Sequence, residues 1–319
     1  MSRHSSTFSS EASAAYTRLA LTLGAATALL FAAIGLVGIE SGLAGRRESL
    51  LLDNRLEEVG RPDFAAQLVL VGDSTLGNAI DDRLFARLSG VPAANLALNG
   101  AFGFAGTANM IERAARHPSV RTVVIVQALD IITRPPSPLG DLQTRADGGH
   151  SPSHWLGLAR AYFDWTTVGA TVQELWRAAL GLSTPVQMSG DYIRQDPDPT
   201  ALQREIDRNQ RRPLRPDDID PSARRDLGRI AEACKANRLR CVYAHGPMME
   251  EICAASRPFI DRLTAIAEQA GLVVVRGSPL CVPRQDLGDT IDHIAPALRG
   301  WSTRRYVELL RPYLTDGAP

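Results

Sequence analysis

The stretch Gln67 to Thr75, QLVLVGDST, decides the fold. Its first part is an unbroken apolar run closed by glycine, the pattern of a strand buried on both faces of a parallel sheet. Its end delivers a serine, Ser74, onto the turn that follows. Moving outward, β-type runs alternate with helical patterns. The strand candidates are Gln67 to Gly72, Ala94 to Leu98, Thr122 to Leu129, Leu239 to Ala244 and Leu272 to Arg276. Between and after them, Ile80 to Gly90, Gly106 to His117, Pro221 to Arg238, Ala255 to Gly271 and Trp301 to Leu314 carry apolar residues at helical spacing. This alternation predicts an α/β fold, a flavodoxin-like three-layer sandwich around a mostly parallel five-stranded sheet. The spacing breaks once: residues 133–220 are too many for an ordinary crossover and read as an insertion.

The chain has 319 residues, room for one sizeable domain plus a non-globular N-terminus. With 35 basic and 35 acidic side chains its formal charge is zero, so it lacks the electrostatic footprint of a nucleic-acid binder. Leu19 to Ile39 is free of charge and long enough to cross a bilayer as a helix. A polar tail, residues 1–18, cytoplasmic or disordered, precedes it, and only a weak SGLAG follows. An uncleaved anchor therefore fits better than a cleaved signal. Arg3 and Arg18 before the span and Arg46, Arg47 and Arg55 after it leave the orientation open.

Residues 40–63 read as a helical stalk ending at Gly60-Arg61-Pro62, and residues 64–319 as the α/β domain. The four cysteines, Cys234, Cys241, Cys253 and Cys281, lie in its C-terminal part without a metal-type pair. They are either two disulfides, in any of three pairings, or small buried hydrophobes. The expected placement is a single-pass protein of a bacterial-type inner membrane, with the α/β domain on the periplasmic side. The insertion holds Trp155, Tyr162, Phe163, Trp165 and Trp176. They are able to cap a site or meet an acyl chain, glycan or partner, but aromatics at helical spacing more often face a core. His245, at the end of the fourth strand, reads equally as a substrate contact or a buried structural histidine.

Ligands of open α/β sheets bind beyond the carboxyl ends of the strands, which is where Ser74 falls. As a helix-start residue it either caps the helix or gains a positive local potential able to hold an oxyanion. The second strand leads into NLALNG, where Gly100 is able to turn its N–H toward the same edge. A late DTIDHIAP, Asp289 to Pro296, supplies a histidine and carboxylates before the closing helix. No phosphate loop, dinucleotide fingerprint or metal-ligand cluster competes, so no cofactor is expected.

In this order of blocks the chain resembles the SGNH/GDSL hydrolase superfamily of esterases and O-acyltransferases, over about Gln67 to Leu314 outside the insertion. The resemblance implies Ser74 as nucleophile, the Ser74 and Gly100 backbone N–H groups as oxyanion hole, and His293 as base. It departs from the family pattern twice. Where the family has Gly-x-Asn-Asp, this chain reads Gln127-Ala128-Leu129-Asp130, and Leu129 cannot donate a hydrogen bond. A lost oxyanion donor costs about 3 kcal/mol, on the order of a hundredfold in rate, unless Gln127 or Asn99 replaces it. The family's acid position, three before the histidine, is Thr290 here. Asp289 is the preferred partner of His293 and Asp292 the alternative, because an adjacent side chain tends to diverge from the ring plane. The implied partners are an ester or glycan substrate, the membrane through residues 19–39 and envelope-biosynthesis proteins. The rival expectation is a catalytically impaired accessory protein that binds a glycan or an assembly partner through the same fold.

Overall fold

The computed structural model describes residues 10–40, 46–134, 144, 156–157, 159–160, 163–181, 188–189, 192–193, 200 and 213–314. Its helices are α1 (Ser10–Glu40), α2 (Arg46–Gly60), α3 (Ser74–Ala79), α4 (Asp82–Ser89), α5 (Gly103–Ala114), α6 (Trp165–Ala179), α7 (Ala223–Ala236), α8 (Glu250–Ala255), α9 (Arg257–Gln269) and α10 (Arg299–Leu314). The principal strands are β1 (Leu68–Gly72), β2 (Ala93–Asn95), β3 (Thr122–Gln127), β4 (Arg240–His245) and β5 (Val273–Val274). The chain divides into two compact units, residues 47–150 with 185–319 and residues 1–46 with 151–184.

The first unit is an α/β domain on a five-stranded, wholly parallel sheet of order β2-β1-β3-β4-β5. The chain leaves β1 to one side for β2 and returns on the other for β3, so the order reverses across β1. Such a reversal opens a crevice at the carboxyl ends of the strands. All of β1 is buried, as its unbroken apolar run requires. Helices α5, α7 and α9 pack in succession, and α3, α4 and α10 form a second group. Asp81 caps α4 through the Leu84 N–H at 2.7 Å, and Gly90 ends it in the left-handed conformation, φ 73°.

The outer strands are shorter than expected. Residues 96–98 leave β2 but still follow β1, with Leu96 N donating to Leu70 O at 2.8 Å and Leu98 N to Gly72 O at 2.9 Å. Beyond Gln127 the chain curls into a 3₁₀ turn, Leu129–Thr133, instead of continuing β3. The cysteines form two disulfides, Cys234–Cys241 and Cys253–Cys281, with Cα atoms 6.1 and 5.7 Å apart.

The stalk is a correction. α2 belongs to the α/β unit: Leu51, Leu52 and Val59 are buried in its core, and Arg55, 2% exposed, donates to Ala97 O and pairs with Glu58 at 2.7 Å. Burying three aliphatic side chains stabilises the helix where it lies by several kcal/mol, about 2 kcal/mol each, so it is no free spacer. The insertion is also not one body. Its described residues between 156 and 181 group with α1, and its described residues at either end with the α/β unit.

In the second unit, α1 is long and apolar enough to cross a membrane over Ser13–Gly38, 26 residues. α6 packs along it, with Trp165 stacked on Phe31. The expectation that the aromatics of the insertion face a core fails for Phe163, Trp165 and Trp176, which are 53, 72 and 68% exposed. Trp155 and Tyr162 lie outside the described residues.

Candidate active site

β1 ends at Gly72, where a Cβ would stand 1.8 Å from Val126 O, so only glycine permits the approach of β3 there. The next residue, Asp73, is more than a helix cap. Its carboxylate accepts from Thr75 N at 3.0 Å and from Ala128 N at 3.0 Å, lashing the exit of β1 to that of β3. Burial pushes its pKa up to about 6, against the Ala128 hydrogen bond and with help from the Asp292 and Asp130 charges.

Ser74 follows as the first residue of α3. It is half-buried, its carbonyl accepts from Asn78 Nδ2 at 2.8 Å, and its hydroxyl has no hydrogen-bond partner among the described residues. Its N–H, as the first of the helix, has no intrahelical acceptor.

The loop after β2 reaches the same edge. Gly100 opens a 3₁₀ turn, Gly100–Phe102, and a Cβ on it would meet Ile131 Cδ1 at 3.4 Å, an ordinary contact. The backbone therefore does not demand glycine at position 100. Asn99 caps that turn, its Oδ1 accepting from Ala101 N at 2.9 Å. Gln127 is turned toward α5, where its Nε2 donates to Thr107 Oγ1 at 2.5 Å, and Leu129 is fully buried in the apolar core. Of the candidate replacements for the missing oxyanion donor, Gln127 is thus engaged in the interior, while Asn99 is oriented by the bond its Oδ1 accepts within its own turn.

What does face the site from β3 is Asp130, paired with Arg134. Burial and the Asp292 charge raise its pKa, and Arg134 opposes them. Arg134 escaped the sequence reading because nothing in its local pattern marks it.

The last block forms a tight loop closed by Gly288 N donating to His293 O at 2.8 Å and by a bridge between Leu287 and Ile294. Within it His293 Nδ1 donates to Asp289 Oδ1 at 2.8 Å, the acceptor-only carboxylate dictating which nitrogen carries the proton. Asp292 is held differently. It accepts from Thr290 Oγ1 at 2.6 Å and Thr75 Oγ1 at 3.3 Å, and its Oδ1 lies 3.9 Å from His293 Nε2. Asp289 therefore orients the ring, while Asp292 sits beside the opposite nitrogen and ties the last block to the residue after Ser74. At the exit of β4, Gly246 passes close enough that a Cβ would lie 2.5 Å from Thr75 Cγ2.

His293 is 6% exposed. Burial lowers its pKa, but the Asp289 hydrogen bond and the charges of Asp292, Asp289 and Asp73 outweigh it, and the net direction is up. Its Nε2 makes no hydrogen bond among the described residues, and no bond joins it to Ser74. A cleft of about 430 Å³ opens alongside, lined by Asp130, Thr133, Arg134, Leu214, Met248 and Ile291 among others.

His245 is not part of this surface. It is 1% exposed, with Nε2 bonded to Thr264 Oγ1 at 2.9 Å and its ring edge-on to Tyr243, and burial lowers its pKa to about 4. Among the described residues no group of three or more His, Cys, Asp or Glu side chains is placed to hold a metal ion. The arrangement offers an oriented imidazole with one open nitrogen, linked through Asp292 and Thr75 to the turn that carries the Ser74 hydroxyl at the switch point of the sheet. No protein-family model matches the chain, and no curated protein or solved structure matches it either.

Proposed function

We propose that the chain is a membrane-anchored serine esterase or O-acyltransferase of SGNH type, acting on acyl esters, acetyl above all, of a cell-envelope or extracellular polysaccharide. The observation that carries the reading is the Asp289–His293 pair, its Nε2 open, held on the Ser74 turn through Thr75 and Asp292. The strand order supports a flavodoxin-like three-layer fold, the apolar helix an anchor, and the two disulfides an extracytoplasmic α/β domain.

In the mechanism, the substrate ester draws the Ser74 hydroxyl and His293 Nε2 into hydrogen-bond contact, since apo catalytic bonds commonly tighten only in the complex. Ser74 Oγ attacks the acyl carbonyl carbon while its proton passes to His293 Nε2, and Asp289 stabilises the imidazolium. The Ser74 and Gly100 N–H groups receive the oxyanion. Collapse expels the alcohol, which takes the proton from His293 and leaves an acyl-serine. Water or a sugar hydroxyl then gives its proton to His293 and attacks the acyl-serine, and collapse releases acid or new ester while Ser74 takes the proton back from His293. Hydrolase and transferase differ only in that acceptor.

A second reading, a non-catalytic protein that binds a glycan or an assembly partner, is favoured by one observation: Leu129 is core, and Gln127, bonded to Thr107 in the interior, does not replace the missing donor. A fluorophosphonate probe separates the two. The folded protein should be labelled at Ser74, with labelling abolished in Ser74→Ala and reduced in His293→Ala; a monodisperse sample that takes no label supports the second reading.

A further inference from the structure

α6 carries an apolar surface that the chain leaves uncovered: Trp165, Val172, Leu175 and Trp176 are 72, 48, 45 and 68% exposed. Exposed apolar groups this contiguous mark a surface with a partner. The position of α6 along α1 says which. The Trp165 ring stacks on Phe31 with centroids 5.5 Å apart. Thr171 lies against Gly38, where a Cβ would come within 1.8 Å of the threonine hydroxyl oxygen. The run from Trp165 to Thr171 thus follows the run from Phe31 to Gly38, the two helices pointing the same way.

Phe31 lies inside the apolar stretch Ser13–Gly38 and Gly38 ends it. At about 1.5 Å per residue, Phe31 is roughly 10 Å inside that end. A helix packed beside it shares its surroundings. We infer that α6 is a second membrane-embedded segment, its first turns in the hydrocarbon of the leaflet that holds the C-terminal end of the α1 span and its last turns in the headgroup region.

The polar groups of α6 fit that depth profile. Thr171 Oγ1 donates to Thr167 O at 2.8 Å, and Thr167 donates through both N and Oγ1 to Asp164 Oδ2, at 3.0 and 3.2 Å. Hydrocarbon demands such internal partners, and the positive end of the helix further steadies the Asp164 carboxylate. Glu174 and Arg177 pair at 3.0 Å and follow Thr171, beyond the level of Gly38, where headgroups and water begin. With 15 residues α6 is about 22 Å long, too short for a core of about 30 Å, so it enters and leaves by one face. Trp176, in the last turns, then contributes to the aromatic belt of the interface, while Trp165 lies deeper, beside Phe31.

The inference rests on reading α1 as a membrane span, and the test separates the two. Full-length protein is reconstituted into phosphatidylcholine vesicles whose acyl chains are either unmodified or brominated, bromine quenching indole emission on contact. In the Trp155→Phe/Trp176→Phe/Trp301→Phe variant, Trp165 is the sole reporter. A second variant replaces all four tryptophans by phenylalanine and carries Phe31→Trp, reporting on α1. A third keeps Trp176 alone.

The Trp165 and position-31 reporters should both lose most of their emission in brominated vesicles, and Trp176 less. Quenching at position 31 with Trp165 unquenched overturns the inference and leaves the anchor standing. Absence of quenching at both removes the anchor and the inference together. Trp165 unquenched by lipid yet shielded from aqueous iodide shows a protein surface over α6, which also overturns it.

Discussion

Two buried groups in the α/β unit titrate against each other, and replacing one exposes the other. Asp73 has its pKa raised from 3.8 to about 6. Its contribution to stability is fully present below 3.8 and lost as pH rises through about 6, because the unfolded chain gives up the proton first. His245 has its pKa lowered from 6.5 to about 4. Its contribution is present above 6.5 and lost as pH falls toward 4, because the unfolded chain takes up the proton first. At about 1.4 kcal/mol per pH unit, each amounts to about 3 kcal/mol, over nearly the same window and with opposite sign. In the native chain they largely offset.

Asp73→Asn should therefore make the protein acid-labile. Relative to wild type, the variant should gain about 3 kcal/mol between about pH 3.5 and about pH 7.5, on top of a pH-independent loss of about 1–3 kcal/mol for the N–H that now faces an amide donor. His245→Gln should tilt the other way. The measurement is urea unfolding of detergent-solubilised protein at several pH values, followed by near-ultraviolet circular dichroism of the buried Tyr243 and Tyr306. Taking differences from wild type removes the contributions of every group the proteins share. A pH-independent difference between Asp73→Asn and wild type would refute the reasoning, since it would mean that Asp73 carries the same charge folded and unfolded.

Leu129→Asn should not restore an oxyanion donor: position 129 is fully buried in the core, so the variant should lose about 3–5 kcal/mol in urea unfolding with no gain in fluorophosphonate labelling rate. Faster labelling would show that position 129 reaches Ser74 after all. Asp289→Asn should slow labelling by about 10²–10⁴-fold. Its pH–rate limb should also move to lower pH, because burial then acts on His293 without the Asp289 carboxylate that raises its pKa. An unchanged limb would mean that Asp289 does not set the titration of His293.

Strand identity was readable wherever burial on both faces left an unbroken apolar run, as in LVLVG of β1 and TVVIV of β3. The helical pattern of Arg46 to Gly60 was equally plain, yet a period of apolar residues reports a face and not what covers it. Leu51, Leu52 and Val59 were read as a stalk and lie in the core. Phe163, Trp165 and Trp176 erred in the opposite direction for the same reason. In the candidate site, the Asp289–His293 contact escapes the usual three-residue spacing because the Gly288 to His293 hydrogen bond closes a loop one residue longer. Thr290, at the usual acid position, donates to Asp292 instead. The Asp130–Arg134 pair acquires meaning only from Asp292, far away in sequence, and no local pattern foretells it.

The charges around His293 weigh on the two halves of the proposed transition state unequally. Asp289, Asp292 and Asp73 all favour the imidazolium, which is why its pKa rises although burial opposes. A second negative charge nearby is disfavoured: burial first, and then the Asp292 charge, raise the pKa of Asp73 and Asp130. The oxyanion, the former carbonyl oxygen of the ester once Ser74 has attacked, meets that field with backbone N–H groups and, paired with Asp130, Arg134. Lacking a side-chain donor at position 129, it forgoes about 3 kcal/mol of stabilisation. The site is thus better built to take a proton than to hold an oxyanion. On the enzymatic reading, substrate binding must supply the difference, so small activated esters should react slowly with Ser74 and an ester on an extended glycan, anchored along the Asp130–Ile291 cleft, much faster.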